Sequence, residues 1–437
     1  MSCRARSPIA LALAVAATLA LTAPAAAAPL AAPQLSFVYD PARGVEAGVL
    51  LVHSLGDVIS LYDPALSQLI GWAPKTRAGW LLGIAGRVAQ SFFIDVPVAA
   101  LEETLIHEVF GHGARAEPWG ARPSYAFHVP LPYKWLFRDY STDSAETNDV
   151  DIGQRERGIP FISGGIEAEY YSAYRIGLDA VSLDGHFPHA RQLLYVFAKV
   201  VYLPSFLEPL SATKPGDDVG NYVRELAERF NRYRPADRAA VSDRVRYSYL
   251  ANFLDPTLWL SVYGYLVEYI GLGRADYRLP MLHAGPVSLY ASTRFALAPF
   301  GAEHYLDLFA RFRGRTFSVY ARAVSSGEAT AWGMGLKALG LARLGGLGVG
   351  VEVDAWEQPE MLFDPSEAYV FTRPQRGGVS LALDLDWKIA GRIGLTGKLA
   401  WKTDGWLMGE PLGEGPYGWI GLAFYADADG ALFKGRK

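Results

Sequence analysis

After Pro286 the chain adopts a two-residue period, and this change constrains the fold more than any other feature of the sequence. Val287, Leu289, Ala291, Thr293, Phe295 and Leu297 alternate with Ser288, Tyr290, Ser292, Arg294 and Ala296. The alternation recurs over residues 305–312, 317–324, 330–342, 347–356, 379–387, 393–401 and 418–425. Successive side chains of a strand point to opposite faces, so each stretch predicts a strand with one apolar face. Between 379 and 388, Val379, Leu381, Leu383, Leu385 and Trp387 oppose Ser380, Ala382, Asp384, Asp386 and Lys388. Between 393 and 402, Ile393, Leu395, Leu399 and Trp401 oppose Thr396, Lys398 and Lys402. The pattern predicts about eight strands of roughly ten residues, joined largely by short glycine-rich turns.

Eight meandering strands of this length fit an up-and-down antiparallel β-barrel. In a soluble barrel the apolar face points in. In an outer-membrane barrel it points out into lipid, and small and polar residues fill the inside. Trp356, Trp387, Trp401, Trp406 and Trp419 lie at or near strand ends, where interfacial aromatics sit. Gly348, Gly350 and Gly394 on the second face suit a crowded interior. The C-terminal part therefore resembles an outer-membrane barrel, although it ends in a polar tail, Lys434-Gly435-Arg436-Lys437.

The N-terminal stretch suits an exported chain. Arg4 and Arg6 precede an apolar run over 9–21, and Ala25 to Ala28 supply small residues for cleavage near Ala27. This is the pattern of a secretory signal peptide; an uncleaved anchor is the alternative. The single cysteine, Cys3, lies inside it, so the mature chain is expected to lack disulfide and thiol chemistry. The chain is 51% hydrophobic and 20% charged, a balance that excludes a disordered chain. Its net charge of -4 removes the electrostatic case for nucleic-acid binding.

The expected organisation is α+β: a signal over 1–28, a short β or irregular segment over 29–78, a helical domain over 79–282, the barrel over 283–428 and a tail over 429–437. In the second segment, 35–39 and 49–54 read as β pieces. Residues 98–109, 192–201, 219–232 and 254–269 carry apolar side chains at three- and four-residue spacing and read as helices. Residues 141–158 and 211–218 read as loops.

The chemistry concentrates in His107-Glu108-Val109-Phe110-Gly111-His112, which holds two of only eight histidines. Val98, Leu101, Leu105 and Val109 make an apolar stripe and Pro97 stands near the start, so the motif sits on a buried helix. In the zinc motif H-E-x-x-H, a four-residue spacing turns the second histidine by about 40° and both face one metal. Five residues turn it by about 140°, too far on a regular helix. The spacing therefore predicts a widened π turn, which Gly111 would ease.

This motif resembles the H-E-x-x-G-H helix of the dipeptidyl peptidase III family, a group of zinc peptidases. The resemblance implies that His107 and His112 bind Zn²⁺ and that Glu108 activates the water. It also implies a third ligand, a glutamate on a second helix further along the chain. Gly164-Gly165-Ile166-Glu167-Ala168-Glu169 is the matching segment, with Glu167 and Glu169 as the candidates. Two residues span about 200° of a helix, so one of the two can face the metal, with Glu169 preferred. The resemblance covers these two short segments and includes only the E-A-E piece of the family's second motif.

Bound in this way, zinc would acidify water and polarise a carbonyl, with Glu108 as general base. His128, Tyr174 and Arg175 are candidates to stabilise the transition state or support a ligand. His186 and His189 form a weaker metal pair, and Asp143, Asp149 and Asp151 could orient a histidine. The expectation is an exported zinc metallohydrolase, most simply a peptidase acting on peptides or other amides. It would be anchored in outer-membrane lipid with its site facing the periplasm. One alternative is a non-catalytic barrel or transport protein with a metal-binding helical plug. Another is a polytopic inner-membrane metalloprotease spanning at 193–207 and 254–270, against which Lys199, Asp255 and Glu268 weigh.

Overall fold

A computed structural model describes residues 33–40, 44–59, 76–130, 132–134, 145–148, 155–207, 217–230, 235–324, 330–361, 375–390 and 393–425. The expected signal, the polar tail, and Asp143, Asp149 and Asp151 lie outside the described residues.

The molecule is a mixed structure of helices and one large antiparallel sheet. The eight predicted stretches lie on eight consecutive strands: β7 (Val287–Ala298), β8 (Gly301–Phe312), β9 (Arg315–Val324), β10 (Trp332–Leu344), β11 (Leu347–Pro359), β12 (Gln375–Ala390), β13 (Ile393–Lys402) and β14 (Gly415–Tyr425). Two further strands extend the sheet, β1 (Pro33–Tyr39) beside β14 and β6 (Leu282–Ala284) beside β7. Each strand pairs with its sequence neighbour, apart from the β1–β14 pair, and β1 and β6 form the two edges among the described residues. The turn Arg313-Gly314 shows how tightly the meander is closed. Both residues have positive φ, 50° and 78°. That is the geometry of a type I′ hairpin, which matches strand twist. Among the described residues, two small pairs complete the β structure: β2 (Ser124–Phe127) with β3 (Ala145–Asn148), and β4 (His186–Pro188) with β5 (Asp276–Arg278).

The helices are α1 (Val45–Ile59), α2 (Arg77–Trp119), α3 (Arg155–Ser182), α4 (His189–Val200), α5 (Leu203–Leu207), α6 (Asp218–Phe230), α7 (Pro235–Leu250) and α8 (Pro256–Tyr263), the last continuing as a π turn over Gly264–Gly271. Residues 49–54, expected as β, belong to α1. Val45, Val49 and Val52 recur at helical spacing and are all buried, which selects the helix. Among the described residues, α2 is the one helix long and apolar enough to cross a membrane, and the 193–207 and 254–270 stretches are not.

The sheet is amphipathic in an inverted sense. Along β13, Lys398 and Lys402 are buried, whereas Leu399 is 62% exposed and Trp401 is exposed. Ser380 and Asp384 are buried on β12 beside exposed Leu381 and Leu383, and Asp307 is buried on β8 between exposed Leu306 and Leu308. The polar face is covered by α1 and α3. Glu46 of α1 reaches Lys337 at 3.3 Å and Lys398 at 2.7 Å, and Tyr174 of α3 donates to Ser318 at 3.1 Å. Arg294–Asp307 (2.6 Å) and Arg322–Glu303 (2.7 Å) continue the ion pairs across β7, β8 and β9. Helices and sheet share one apolar core that includes Val49, Ile166, Phe295 and Trp406.

Lys398 holds three carboxylates at once: Glu46, Glu410 at 2.6 Å and Glu352 at 3.1 Å. A buried carboxylate stripped of its partner is costly, so Lys398→Met is expected to remove about 3–5 kcal/mol of stability. A thermal or denaturant unfolding midpoint unchanged from wild type would contradict this network.

Candidate metal centre

The second half of α2 carries the centre. Residues Leu105–His112 form a π-helical stretch, as the five-residue spacing predicts. The widened turn brings His107 and His112 to face each other, with Nε2 to Nε2 at 3.0 Å and ring planes 80° apart. Gly111 serves a purpose beyond backbone freedom. A Cβ there would stand 2.5 Å from Gly165 Cα, and one on Gly165 would stand 2.3 Å from His107 Cε1. α2 and α3 therefore cross backbone to backbone, with the His107 ring against Gly165.

α3 then supplies both outer supports. Glu169 Oε1 accepts from His107 Nδ1 at 2.6 Å, and the Phe161 carbonyl accepts from His112 Nδ1 at 2.7 Å. An acceptor on each Nδ1 favours a proton there, so in its neutral form each ring carries its lone pair on Nε2. Asp218, the first residue of α6, places Oδ2 3.0 Å from His107 Nε2 and 3.3 Å from His112 Nε2. His107, His112 and Asp218 thus form a cluster able to hold a metal ion.

The donor chemistry passes a direct test. Two imidazole Nε2 atoms and a carboxylate oxygen converge, an arrangement that needs positive charge between them, a metal ion or a proton. Ligands bound tetrahedrally at about 2.0–2.1 Å would stand about 3.3–3.4 Å apart, close to what is seen. The electrostatics agree. Burial opposes charge on His107, but Glu169 and Asp218 overcome it and hold the imidazole well above its ordinary pKa. His112 is likewise raised, against burial, by Asp218. Burial pushes the Asp218 carboxyl up, yet His112 and His107 outweigh it and bring it below the usual carboxylate range. The site is built to hold positive charge.

This geometry corrects the expected third ligand. Glu169 approaches His107 from the Nδ1 side, away from the facing Nε2 atoms, and so supports a ligand. Glu167 points the other way, because two residues carry the chain about half a turn around a helix. It is buried in an ion pair with Arg115 and accepts from Gly409 N at 2.8 Å, tying α3 to the loop before β14. Tyr174 and Arg175 also face away from the centre, toward Ser318 and Asp179 respectively. His186 pairs with Asp276 at the surface, and His189 stacks on Tyr269 with centroids 3.8 Å apart. His128 follows β2 and is half-buried.

Glu108, on the π turn between the two histidines, accepts from Thr147 Oγ1 of β3. Its charge acts on both His112 and Tyr202, so it lies near the centre. Tyr202, in the link between α4 and α5, stacks on His107 at 5.2 Å and 17°. Burial, then the charges of Asp218, Glu169 and Glu108, raise its phenol well above the ordinary value. Asp218 and Tyr202 were not legible as site residues. Neither belongs to a spacing motif, and α6 and the α4–α5 link reach the centre only through tertiary packing. Comparison of the chain with known protein families, curated proteins and solved structures finds no match.

Gly165→Ala is expected to displace the His107 ring and abolish stoichiometric metal uptake, because a packed interior has no room for the added methyl group. Gly177 lies on the same helix with its nearest neighbour, Phe309, at 3.8 Å, so Gly177→Ala should leave uptake unchanged. Equal metal content in the two purified variants would contradict the packing described.

Proposed function

We propose that the chain is a zinc-dependent hydrolase of amide bonds, most simply a peptidase. We also propose that its sheet is the wall of an outer-membrane barrel that anchors it. The observation that carries the catalytic reading is the convergence of His107 Nε2, His112 Nε2 and Asp218 Oδ2, with Glu108 on the same π turn. When bound, zinc would supply Lewis acidity, acidifying water and polarising a carbonyl.

The chain's own residues carry the rest. Glu169 and the Phe161 carbonyl hold protons on the Nδ1 atoms and keep both Nε2 atoms available as donors. Thr147 orients the Glu108 carboxylate. Glu108 takes a proton from the attacking water and returns it to the leaving amine.

The anchoring reading rests on the inverted sheet. Rows of exposed Leu, Ile and Trp lie outside and buried ion pairs inside, which is unfavourable in water and favourable against hydrocarbon. The proposed lipid-facing segments are the strands. Export and a periplasm-facing site belong to the same proposal. One observation favours a second reading, a non-catalytic barrel with a metal-binding helical plug: α1 and α3 fill the polar face of the sheet.

Glu108→Gln separates the two. Catalysis predicts full zinc content with turnover of a peptide library lowered at least about 100-fold. Full activity in Glu108→Gln would overturn the role of Glu108, and zinc without any turnover in the wild type would favour the plug. For the anchor, wild type should fractionate with outer membranes and show heat-modifiable gel mobility, and Leu383→Arg should cost about 2–4 kcal/mol if near mid-membrane. A chain that stays soluble without detergent would contradict it.

A further inference from the structure

We propose that the Tyr202 hydroxyl is the hydrogen-bond donor to the substrate oxygen on which negative charge develops; this role rests on the metallohydrolase reading above. Tyr202 Oη lies 2.9 Å from His107 Nε2 and 3.2 Å from Asp218 Oδ2. It also lies 3.4 Å from His107 Nδ1 and its ring stacks on the imidazole, so the hydroxyl sits over the His107 ring, beside the Asp218 oxygen. With the Nδ1 protons held by Glu169 and Phe161, the three converging atoms can only accept. The Tyr202 hydroxyl beside them can donate.

A cation held by His107, His112 and Asp218 would engage the Asp218 oxygen to which the Tyr202 hydroxyl now donates. The O–H is then released toward whatever oxygen takes the remaining position. The ring cannot easily turn away. It is stacked on His107, and its own backbone carbonyl accepts from Phe206 N at 3.1 Å, which starts α5. A donor fixed before the charge appears stabilises it without reorganisation, which is where the largest catalytic contributions arise. Of the residues offered by sequence for this role, His128, Tyr174 and Arg175, the last two are engaged with Ser318 and Asp179 instead.

The test uses the full chain in detergent, loaded with Co²⁺, and acetohydroxamate as the probe, followed by visible absorption. Tyr202→Phe is expected to bind Co²⁺ with unchanged stoichiometry and acetohydroxamate about 10- to 100-fold more weakly. Its kcat on any hydrolysed amide should fall about 100- to 1000-fold with KM little changed. Tyr202→Gln, which restores a donor, should recover part of the hydroxamate affinity. Equal hydroxamate affinity in wild type and Tyr202→Phe overturns the role of Tyr202 while leaving the metal reading intact. Loss of Co²⁺ from both Tyr202→Phe and Tyr202→Gln also overturns it, because the tyrosine would then serve to build the centre. A wild type that takes up no Co²⁺ overturns the metal reading itself.

Discussion

The contact between Gly111 and the Gly164-Gly165 pair sets the geometry on which the centre depends. No Cβ fits at Gly111 or Gly165, so α2 and α3 meet with no side chain between their backbones. That closeness lets Glu169 and the Phe161 carbonyl reach the Nδ1 atoms of two histidines on the neighbouring helix. The π turn does the complementary work, turning the two Nε2 atoms toward each other. One helix crossing thus sets an acceptor on each Nδ1 and the direction of each Nε2. Asp218 and Tyr202 then close the centre from the remaining side.

The same helix joins this centre to the sheet. Glu169 faces His107, while Glu167, half a turn away, is buried against Arg115 and the loop before β14, and Tyr174 reaches Ser318. The sheet in turn presents its charges to α1 and α3 and its leucines outward. A buried ion network of this size gains little stability over apolar packing, but it makes the loss of any one partner severe. It therefore defines how the helices sit on the sheet more than it strengthens the whole.

Much of this was legible in the sequence where a short-range period governs structure. The two-residue alternation located all eight long strands, and the five-residue histidine spacing located the π turn, because both depend on local geometry. The 49–54 stretch misled, since a short apolar run with valines fits a strand or a buried helix equally well. The burial of Val45, Val49 and Val52 along one helical face decided it. The candidate third ligand, expected as Glu169 or Glu167, differs from the acid in the cluster, Asp218, for a different reason. Glu167 and Glu169 lie on the right helix, but which nitrogen of His107 Glu169 would meet depends on how close α3 comes, and only the glycines of the crossing decide that. Asp218 lies 106 residues beyond His112 and sits at the start of an ordinary amphipathic helix. Nothing in its neighbourhood distinguishes it from a solvated acid until the chain is folded.

The face of the sheet that meets its surroundings was also readable only as a pair of options. Alternation is the same whether the apolar residues point in or out. The placement of Lys398 and Leu399 resolves it, because the lysine is buried among carboxylates and the leucine is exposed.

Zinc K-edge X-ray absorption on the purified full chain probes the converging Nε2 and Oδ2 atoms most directly. The expected spectrum has one zinc per chain with two imidazole nitrogens and oxygen ligands at about 2.0–2.1 Å, and no sulfur. A chain without stoichiometric zinc, or a zinc shell of oxygens lacking imidazole scattering, would contradict the centre described.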